Sequence, residues 1–325
     1  TLMAEFGPVL PVYVTEFGQW FDDPDGAPDF MLQMVAQMGA AGVAGAWWYA
    51  LLDQPWWSNM GLYLPDTREA MPAADTFRLL QDRLLPLGRP RRIGASPEDQ
   101  IYAFGQPVAA VVAWGAPARL TIDGATAYLD SRGNPVPPVA ELGAAPVVVL
   151  GDSLSVHVER DRPVVDLRYR FGQPPWSYHA LRPDGSLSAL QFIDWEWASF
   201  LGDPWLRPLQ VSQDWISGVM FDNGAHRAIE RFTAPESGTY RIEARWFSPG
   251  PQQGDGADIL VLHNGAVLAE GLVTAQDFTF GAREITLAAG DRIDFSVGPN
   301  RQHGGDAVRR EILIHFPRTA VGTTP

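Results

Sequence analysis

Residues 239–247 read TYRIEARWF. The side chains at 240, 242, 244 and 246 are aromatic or apolar, and those at 241, 243 and 245 are charged. Because successive side chains of a strand point to opposite faces, this stretch predicts a strand with one buried and one solvated face. Residues 292–297 and 312–316 repeat the alternation, and Asn264-Gly265 is typical of a hairpin turn. The segment 169–318 is therefore predicted to be a β-sandwich of jelly-roll type.

The N-terminal segment, residues 1–88, alternates strand and helix signals. Residues 11–17, PVYVTEF, predict a strand that carries Glu16 at its C-terminal end and closes at Gly18. A helix is expected over 29–41, with Asp29 as N-cap and Gly42 as C-cap, followed by a strand over 43–50 and a helix over 68–85. The crossovers are long enough for parallel pairing. By alternation Glu16 should share a face with residues 12 and 14, and those at 13 and 15 should point away.

The middle segment, residues 89–168, contains many turn residues and little helical periodicity. Short strands are expected near 100–104, 107–114, 118–122, 125–130 and 146–150. A small β-sandwich is the prediction.

Composition narrows the function classes. The chain has 325 residues, 38 acidic and 24 basic, a formal charge of −14, and every basic residue is Arg. An acidic chain without a basic stripe argues against nucleic acid and anionic membranes as partners. The absence of Cys excludes disulfides and thiolate chemistry. No apolar run reaches the length of a membrane span, and no cofactor is predicted. The chain opens on Thr1-Leu2, so we expect that position 1 is not the natural start.

Two motifs carry a family resemblance. Val12 to Gly18, VYVTEFG, is followed about thirty residues later by Gly45 to Asp53, GAWWYALLD. The pair resembles the last two βα units of the retaining clan of (β/α)8 glycoside hydrolases. The resemblance implies a partial (β/α)8 barrel in which Glu16 is the catalytic nucleophile. It also implies a sugar-stacking platform at Trp48, with Tyr49 as the alternative if the register slips by one residue. Further candidates for lining the cleft, on loops at the same end, are Trp20, Trp56, Trp57 and Asp53.

A retaining hydrolase also needs an acid/base carboxyl about 5.5 Å from the nucleophile. In the clan this Glu ends the fourth strand, and no motif of this chain matches it. We therefore expect the C-terminal portion of a larger, secreted or periplasmic bacterial enzyme that is active only when intact. The middle segment resembles the small β-domain that follows the barrel in several families of this clan.

The last segment resembles jelly-roll domains at the C-terminal ends of bacterial hydrolases, which are presumed to bind carbohydrate. The resemblance runs through residues 175–178, 231–235, 254–258 and 298–300. It implies a sugar-binding role for exposed aromatics, and Trp176, Tyr178 and Trp195 are the candidates because they lie in turn-rich sequence. The alternative is that the Trp residues fill the core.

Three aspartates and one alternative function stay open. Asp255, Asp258 and Asp306 are candidate Ca²⁺ ligands or turn-forming residues, and no metal is assigned. The alternative to an enzyme is a non-catalytic carbohydrate-binding or adhesion protein. The sugar, the linkage and the oligomeric state are not specified by the sequence.

Overall fold

The structure is a computed structural model that describes residues 10–195, 198–248 and 254–318, with only the backbone of Trp195 and Ala198. The chain divides into two compact units, Thr1–Arg160 and Asp161–Pro325. None of the described helices is long and apolar enough to cross a membrane.

The first unit begins with a parallel β-α-β element. Strand β1 (Val12–Phe17) and strand β2 (Val43–Trp48) are joined by helix α1 (Gly26–Ala41). The predicted C-cap is confirmed: Gly42 has φ 97°, a left-handed conformation that glycine adopts without steric cost. The helix starts earlier than predicted, with Asp25 as its N-cap residue.

The second helix of this unit is shorter than the sequence predicts. Helix α2 (Pro72–Leu79) begins at a proline, whose missing N–H is tolerated in the first turn. It continues as a π-helical turn over Leu80–Leu84 and a 3₁₀ turn over Leu85–Leu87. The predicted start at residue 68 is wrong, because the Ala70–Tyr63 bridge holds the chain extended just before Pro72.

The rest of the first unit is all β. Its strands are β3 (Arg91–Arg92), β4 (Asp99–Phe104), β5 (Ala110–Gly115), β6 (Ala118–Leu129), β7 (Glu141–Leu142) and β8 (Val147–Glu159). They form one antiparallel sheet in the order β3-β4-β5-β8-β6-β7, where the sequence predicted a small sandwich. Register irregularities between Asp123 and Ala127 interrupt the pairing of β6 with β8, and irregularities of this kind bend strands.

The second unit is a β-sandwich. Its helical turn α3 (Leu167–Arg170) follows the first strand. Its strands are β9 (Val164–Asp166), β10 (Trp176–Leu181), β11 (Leu187–Ala189), β12 (Gln191–Trp195), β13 (Ala198–Gly202), β14 (Gln210–Val211), β15 (Trp215–Ser217), β16 (Val219–Phe221), β17 (Gly224–Thr233), β18 (Gly238–Phe247), β19 (Ala257–His263), β20 (Ala266–Val273), β21 (Phe278–Leu287), β22 (Arg292–Gly298) and β23 (Val308–His315).

These strands form two sheets. One runs β11-β10-β17-β22-β19-β20, with β16 beside β17. The other runs β12-β13-β14-β15-β23-β18-β21, with β9 beside β23. The alternation predicted for 239–247 is confirmed: in β18, Tyr240, Ile242, Ala244 and Trp246 are buried, and Arg241 and Arg245 are exposed.

A buried ion pair links the two sheets inside this core. Glu230 lies on β17 and Arg310 on β23, and neither side chain has solvent exposure. The guanidinium donates to both carboxylate oxygens, at 2.6 and 2.9 Å, and to the carbonyls of Ser212 and Gln213 at 2.7 and 2.9 Å. Each charge thus has hydrogen-bond partners, which a buried charge requires.

Candidate functional site

The candidate active site lies at the carboxyl end of β1, where the strand contains a bulge. Val14 pairs with Ala46 and Phe17 pairs with Trp48. Between these two pairs β1 advances by three residues and β2 by two. The extra residue falls at Thr15 or Glu16. Bulges of this kind re-aim side chains and are common next to active sites.

Ring contacts show that the bulge changes the faces of β1. Tyr13 lies beside Trp47, with ring centroids 6.2 Å apart, and Phe17 lies beside Trp48 at 5.3 Å. Because Trp47 and Trp48 are neighbours in a strand, they point to opposite faces. Tyr13 and Phe17 therefore also lie on opposite faces, although their spacing of four residues would put them on one face of a regular strand.

Glu16 consequently shares its face with Tyr13 and Trp47. It precedes Phe17, which packs on the opposite side through Trp48. The predicted grouping of Glu16 with Val14 is wrong, because Val14 pairs with Ala46 on the Trp48 side and the bulge breaks the alternation between Val14 and Glu16. Glu16 is exposed, and within the described residues no side chain or backbone N–H donates a hydrogen bond to its carboxylate. This face thus presents an exposed carboxylate and exposed aromatic rings.

Trp48 does not lie on this face, and its predicted role as sugar platform is corrected. Its ring packs against Phe17 and, at 6.2 Å, against Phe30 of α1. The indole Nε1 donates to the carbonyl of Met60 at 2.8 Å. The ring is half-buried on the helix side of β2. The predicted alternative, Tyr49, is exposed, and so is Trp47, with 55% of its surface accessible.

Sequence reasoning did not identify Trp47 and Tyr13 as exposed aromatic residues of this face. Two adjacent tryptophans in a strand must face opposite sides, and the helix-facing side of a βα unit can bury only one of them. That signal was present in residues 45–48, GAWW. Gly45 is also needed here, because a Cβ at this position would lie 3.2 Å from the Tyr13 ring.

The loops that follow β1 and β2 are tied together by hydrogen bonds. The amide of Asn59 donates to the carbonyls of Phe21 and Asp22, at 2.9 and 3.3 Å, and Phe21 N–H donates to the carbonyl of Ser58 at 3.1 Å. These loops carry three exposed candidates: Trp20, Trp56 and Trp57.

Asp53 organises the second loop instead of lining the cleft. Its Oδ1 accepts from the N–H groups of Met60 and Gly61, at 3.0 and 2.8 Å, and its Oδ2 accepts from Asn59 N–H at 3.2 Å. A Cβ at Gly61 would lie 2.3 Å from the Asp53 nitrogen, so only glycine allows the two strands of the loop to approach this closely.

In the second unit the structure corrects two of the three sugar-binding candidates. Trp176 and Tyr178 are 5% and 7% exposed, so neither ring offers a face to a sugar. Trp176 packs against Phe232 and Phe295, and the Tyr178 hydroxyl accepts from Gly172 N–H at 3.0 Å. Burial raises the pKa of Tyr178. Both residues occupy alternate positions of β10 that face the core. Turn-rich sequence before a strand was an unreliable sign of exposure.

The third candidate, Trp195, pairs with Ala198 at the end of β12, and its side chain lies outside the described residues. For sugar binding it stays a prediction.

Two of the three candidate calcium ligands have other partners. Asp258 pairs with Arg227 and accepts from Asn300 N–H at 2.8 Å, and Asp306 Oδ1 accepts from Gly256 N–H at 2.8 Å. In the described ranges, no three acidic or His side chains are grouped to hold a metal ion.

No protein-family model and no curated protein matches the chain. Among solved structures, a family 35 carbohydrate binding module from an environmental isolate is 17% identical, over 45% of this chain and 98% of that one, with a TM-score of 0.23. The C-terminal CBM6 of LamC, a marine laminarinase from Zobellia galactanivorans, is 18% identical over 30% and 86%, with a TM-score of 0.19. Pika GITRL is 10% identical over 44% and 97%, at 0.21. At these TM-scores the likenesses carry no argument about function.

Proposed function

We propose that this chain is the C-terminal portion of a retaining glycoside hydrolase, secreted or periplasmic, with an appended sugar-binding module. Residues 1–88 would be the last two βα units of a barrel, 89–160 a small β-domain and 161–318 the module; the predicted boundary at 168/169 moves to 160/161 because β9 pairs with β23 of the second unit. The proposal rests chiefly on Glu16, an exposed carboxylate at the carboxyl end of a parallel strand, because active sites of (β/α)8 enzymes lie at that end.

The aromatic side chains around Glu16 support a carbohydrate substrate. Sugar rings have an apolar C–H face that packs on aromatic planes, and here Tyr13 and Trp47 lie on the face of the strands to which we assign Glu16. Tyr49 and the loop residues Trp20, Trp56 and Trp57 extend the exposed aromatic surface at the same end of the strands.

In the proposed reaction, a Glu16 oxygen attacks the anomeric carbon as the glycosidic C–O bond breaks. The leaving oxygen takes a proton from an acid that residues outside this chain would supply. Water then cleaves the glycosyl ester and regenerates the Glu16 carboxylate. Within the described residues, β1 and β2 pair only with each other, which leaves a free strand edge on each for the remaining barrel strands.

The decisive experiment substitutes Glu16 in the full-length enzyme. Glu16→Gln removes the nucleophile at nearly constant volume, so turnover should fall by more than about 100-fold while the fold is retained. Glu69→Gln, at an exposed carboxylate on the second loop, is the matched control and should leave turnover unchanged. A 2-fluoro glycoside with a good leaving group should esterify Glu16, and peptide mass mapping would locate the adduct. Labelling elsewhere, or near-normal activity of Glu16→Gln, would disprove the assignment.

The second candidate function is a non-catalytic carbohydrate-binding or adhesion protein. It is favoured by the same exposed aromatic face, which could bind a glycan without cleaving it. An intact glycan recovered after incubation with the full-length protein, together with unchanged binding by Glu16→Gln, would decide for this alternative.

A further inference from the structure

Trp205 is the most exposed large hydrophobic side chain of the described residues, with 87% of its surface accessible. It lies in the turn between β13 and β14, in which Pro204, Arg207 and Pro208 are also exposed, whereas Asp203, Leu206 and Leu209 are buried. Core packing does not explain a solvent-exposed tryptophan in a turn whose backbone is held by buried residues.

The backbone beneath Trp205 is fixed by hydrogen bonds. Asp203 accepts from Trp205 N–H at 2.9 Å, from Arg182 at 3.0 Å and from the Ser188 hydroxyl at 3.2 Å. Leu206 N–H donates to the Asp203 carbonyl at 2.9 Å, and Leu209 N–H to the Leu206 carbonyl at 2.7 Å. The backbone position of Trp205 is therefore set before any ligand arrives, which lowers the entropic cost of ordering this turn on binding.

A pocket of about 470 Å³ opens next to this turn. Its apolar lining comes from Ile193 and Phe200, which pair directly across β12 and β13, and from Pro204 and Pro208 on either side of Trp205. Pockets for small molecules span roughly 300–1,000 Å³, so this one has room for one or two sugar rings.

The polar lining offers both hydrogen-bond donors and acceptors. Arg207 is exposed, and among the described side chains no carboxylate pairs with its guanidinium. Gln210 donates from Nε2 to the Arg207 carbonyl at 3.2 Å, which leaves its Oε1 free to accept. Hydroxyl groups both donate and accept, and this mixture suits them.

We infer that Trp205 and the adjoining pocket form a binding site for a pyranose ring of an uncharged oligosaccharide. The aromatic face would stack on the C–H face of the sugar, and Arg207 and Gln210 would bind its hydroxyls. This inference rests on the proposed sugar-binding role of the second unit and replaces the buried Trp176 and Tyr178 with solvent-facing residues. A polyanionic sugar is less suitable because the chain carries a formal charge of −14.

The test is calorimetric titration of the full chain with hexameric laminari-, manno-, xylo- and malto-oligosaccharides, and with oligogalacturonate. Wild type should bind at least one neutral hexamer with weak to moderate affinity that is insensitive to salt. Trp205→Ala should weaken that binding by about tenfold or more, and Arg207→Gln by several-fold. Phe192→Ala is the matched control: Phe192 is exposed on the same hairpin, and alternation places it on the face opposite Ile193. A melting scan checks that each variant is folded.

The possible outcomes distinguish an error in the Trp205 site from an error in the proposed sugar binding. Binding by wild type that survives both Trp205→Ala and Arg207→Gln would overturn this site and leave the proposed sugar binding intact. No binding of any hexamer by wild type would overturn both. Preference for oligogalacturonate over all neutral hexamers would contradict the class of ligand. Loss in Phe192→Ala equal to that in Trp205→Ala would show a general effect on the hairpin and refute the assignment to Trp205.

Discussion

The Glu230–Arg310 pair should make the second unit highly sensitive to removal of either charge. Both groups are fully buried. Glu230→Gln leaves the guanidinium without its counter-ion, and Arg310→Met leaves the carboxylate alone and two backbone carbonyls without their donor. Removing one partner of a buried pair costs about 3–5 kcal/mol. For a domain of this size that corresponds to a melting temperature lower by roughly 8–16 °C.

The double variant makes the test quantitative. If the singles act independently, Glu230→Gln/Arg310→Met should cost the sum of both, about 6–10 kcal/mol. Because the double variant contains no buried charge at positions 230 and 310, we expect it to cost no more than the worse single, a coupling energy of about 3 kcal/mol. Differential scanning calorimetry of the full chain measures this, and the transition of the first unit is an internal control. Additive losses, or singles that cost less than about 1 kcal/mol, would refute the reasoning.

Two other predictions concern the second loop of the first unit and the pH dependence of the second unit. The Asp53 carboxylate accepts from three N–H groups, and Asp53→Asn replaces one of its oxygens by an NH₂ donor. Hydrogen exchange of the 53–61 amides should therefore accelerate, with a local cost of about 1–3 kcal/mol. Asp66→Asn, on the exposed part of the same loop, is the control and should leave exchange unchanged. Burial lowers the pKa values of His179, His226 and His315 below their ordinary 6.5. Between 6.5 and the folded values the unfolded chain binds more protons than the folded one, so stability is complete above pH 6.5 and falls as the pH drops through that window. Urea midpoints measured from pH 8 to pH 5 would show the decline, and a flat profile would contradict it.

The alternating strands were predictable because burial of one face leaves a period of two in the sequence. Thr239–Phe247 gave both the strand and its buried face, and Gly42 marked the end of α1 because few other residues adopt a left-handed C-cap. The parallel order of β1 and β2 followed from the length of the crossover between them.

The candidate site was less predictable because it depends on departures from those periods. Nothing in residues 11–17 announces the bulge, which is a property of the pairing with β2 and reverses the face of Glu16. The exposure of a side chain also depends on residues that are distant in sequence. Trp176 is buried because Phe232 and Phe295 of other strands pack against it, whereas Trp205 is exposed although other residues of its turn are buried. Neither the burial of Trp176 nor the exposure of Trp205 can be predicted from the composition or the spacing of residues.

The bulge in β1 acts as a phase shift of one residue within a short strand. Before the bulge, the odd-numbered residue Tyr13 lies on the same face as Trp47. After the bulge, we assign the even-numbered residue Glu16 to that face. Deleting Thr15 would restore regular alternation and still leave Glu16 two positions after Tyr13, on the same face, with Phe17 on the opposite face. The bulge thus accommodates one extra residue in β1 without moving Glu16 off this face. Alignment of distant sequences by hydrophobic pattern alone would place the carboxylate on the wrong side of the sheet.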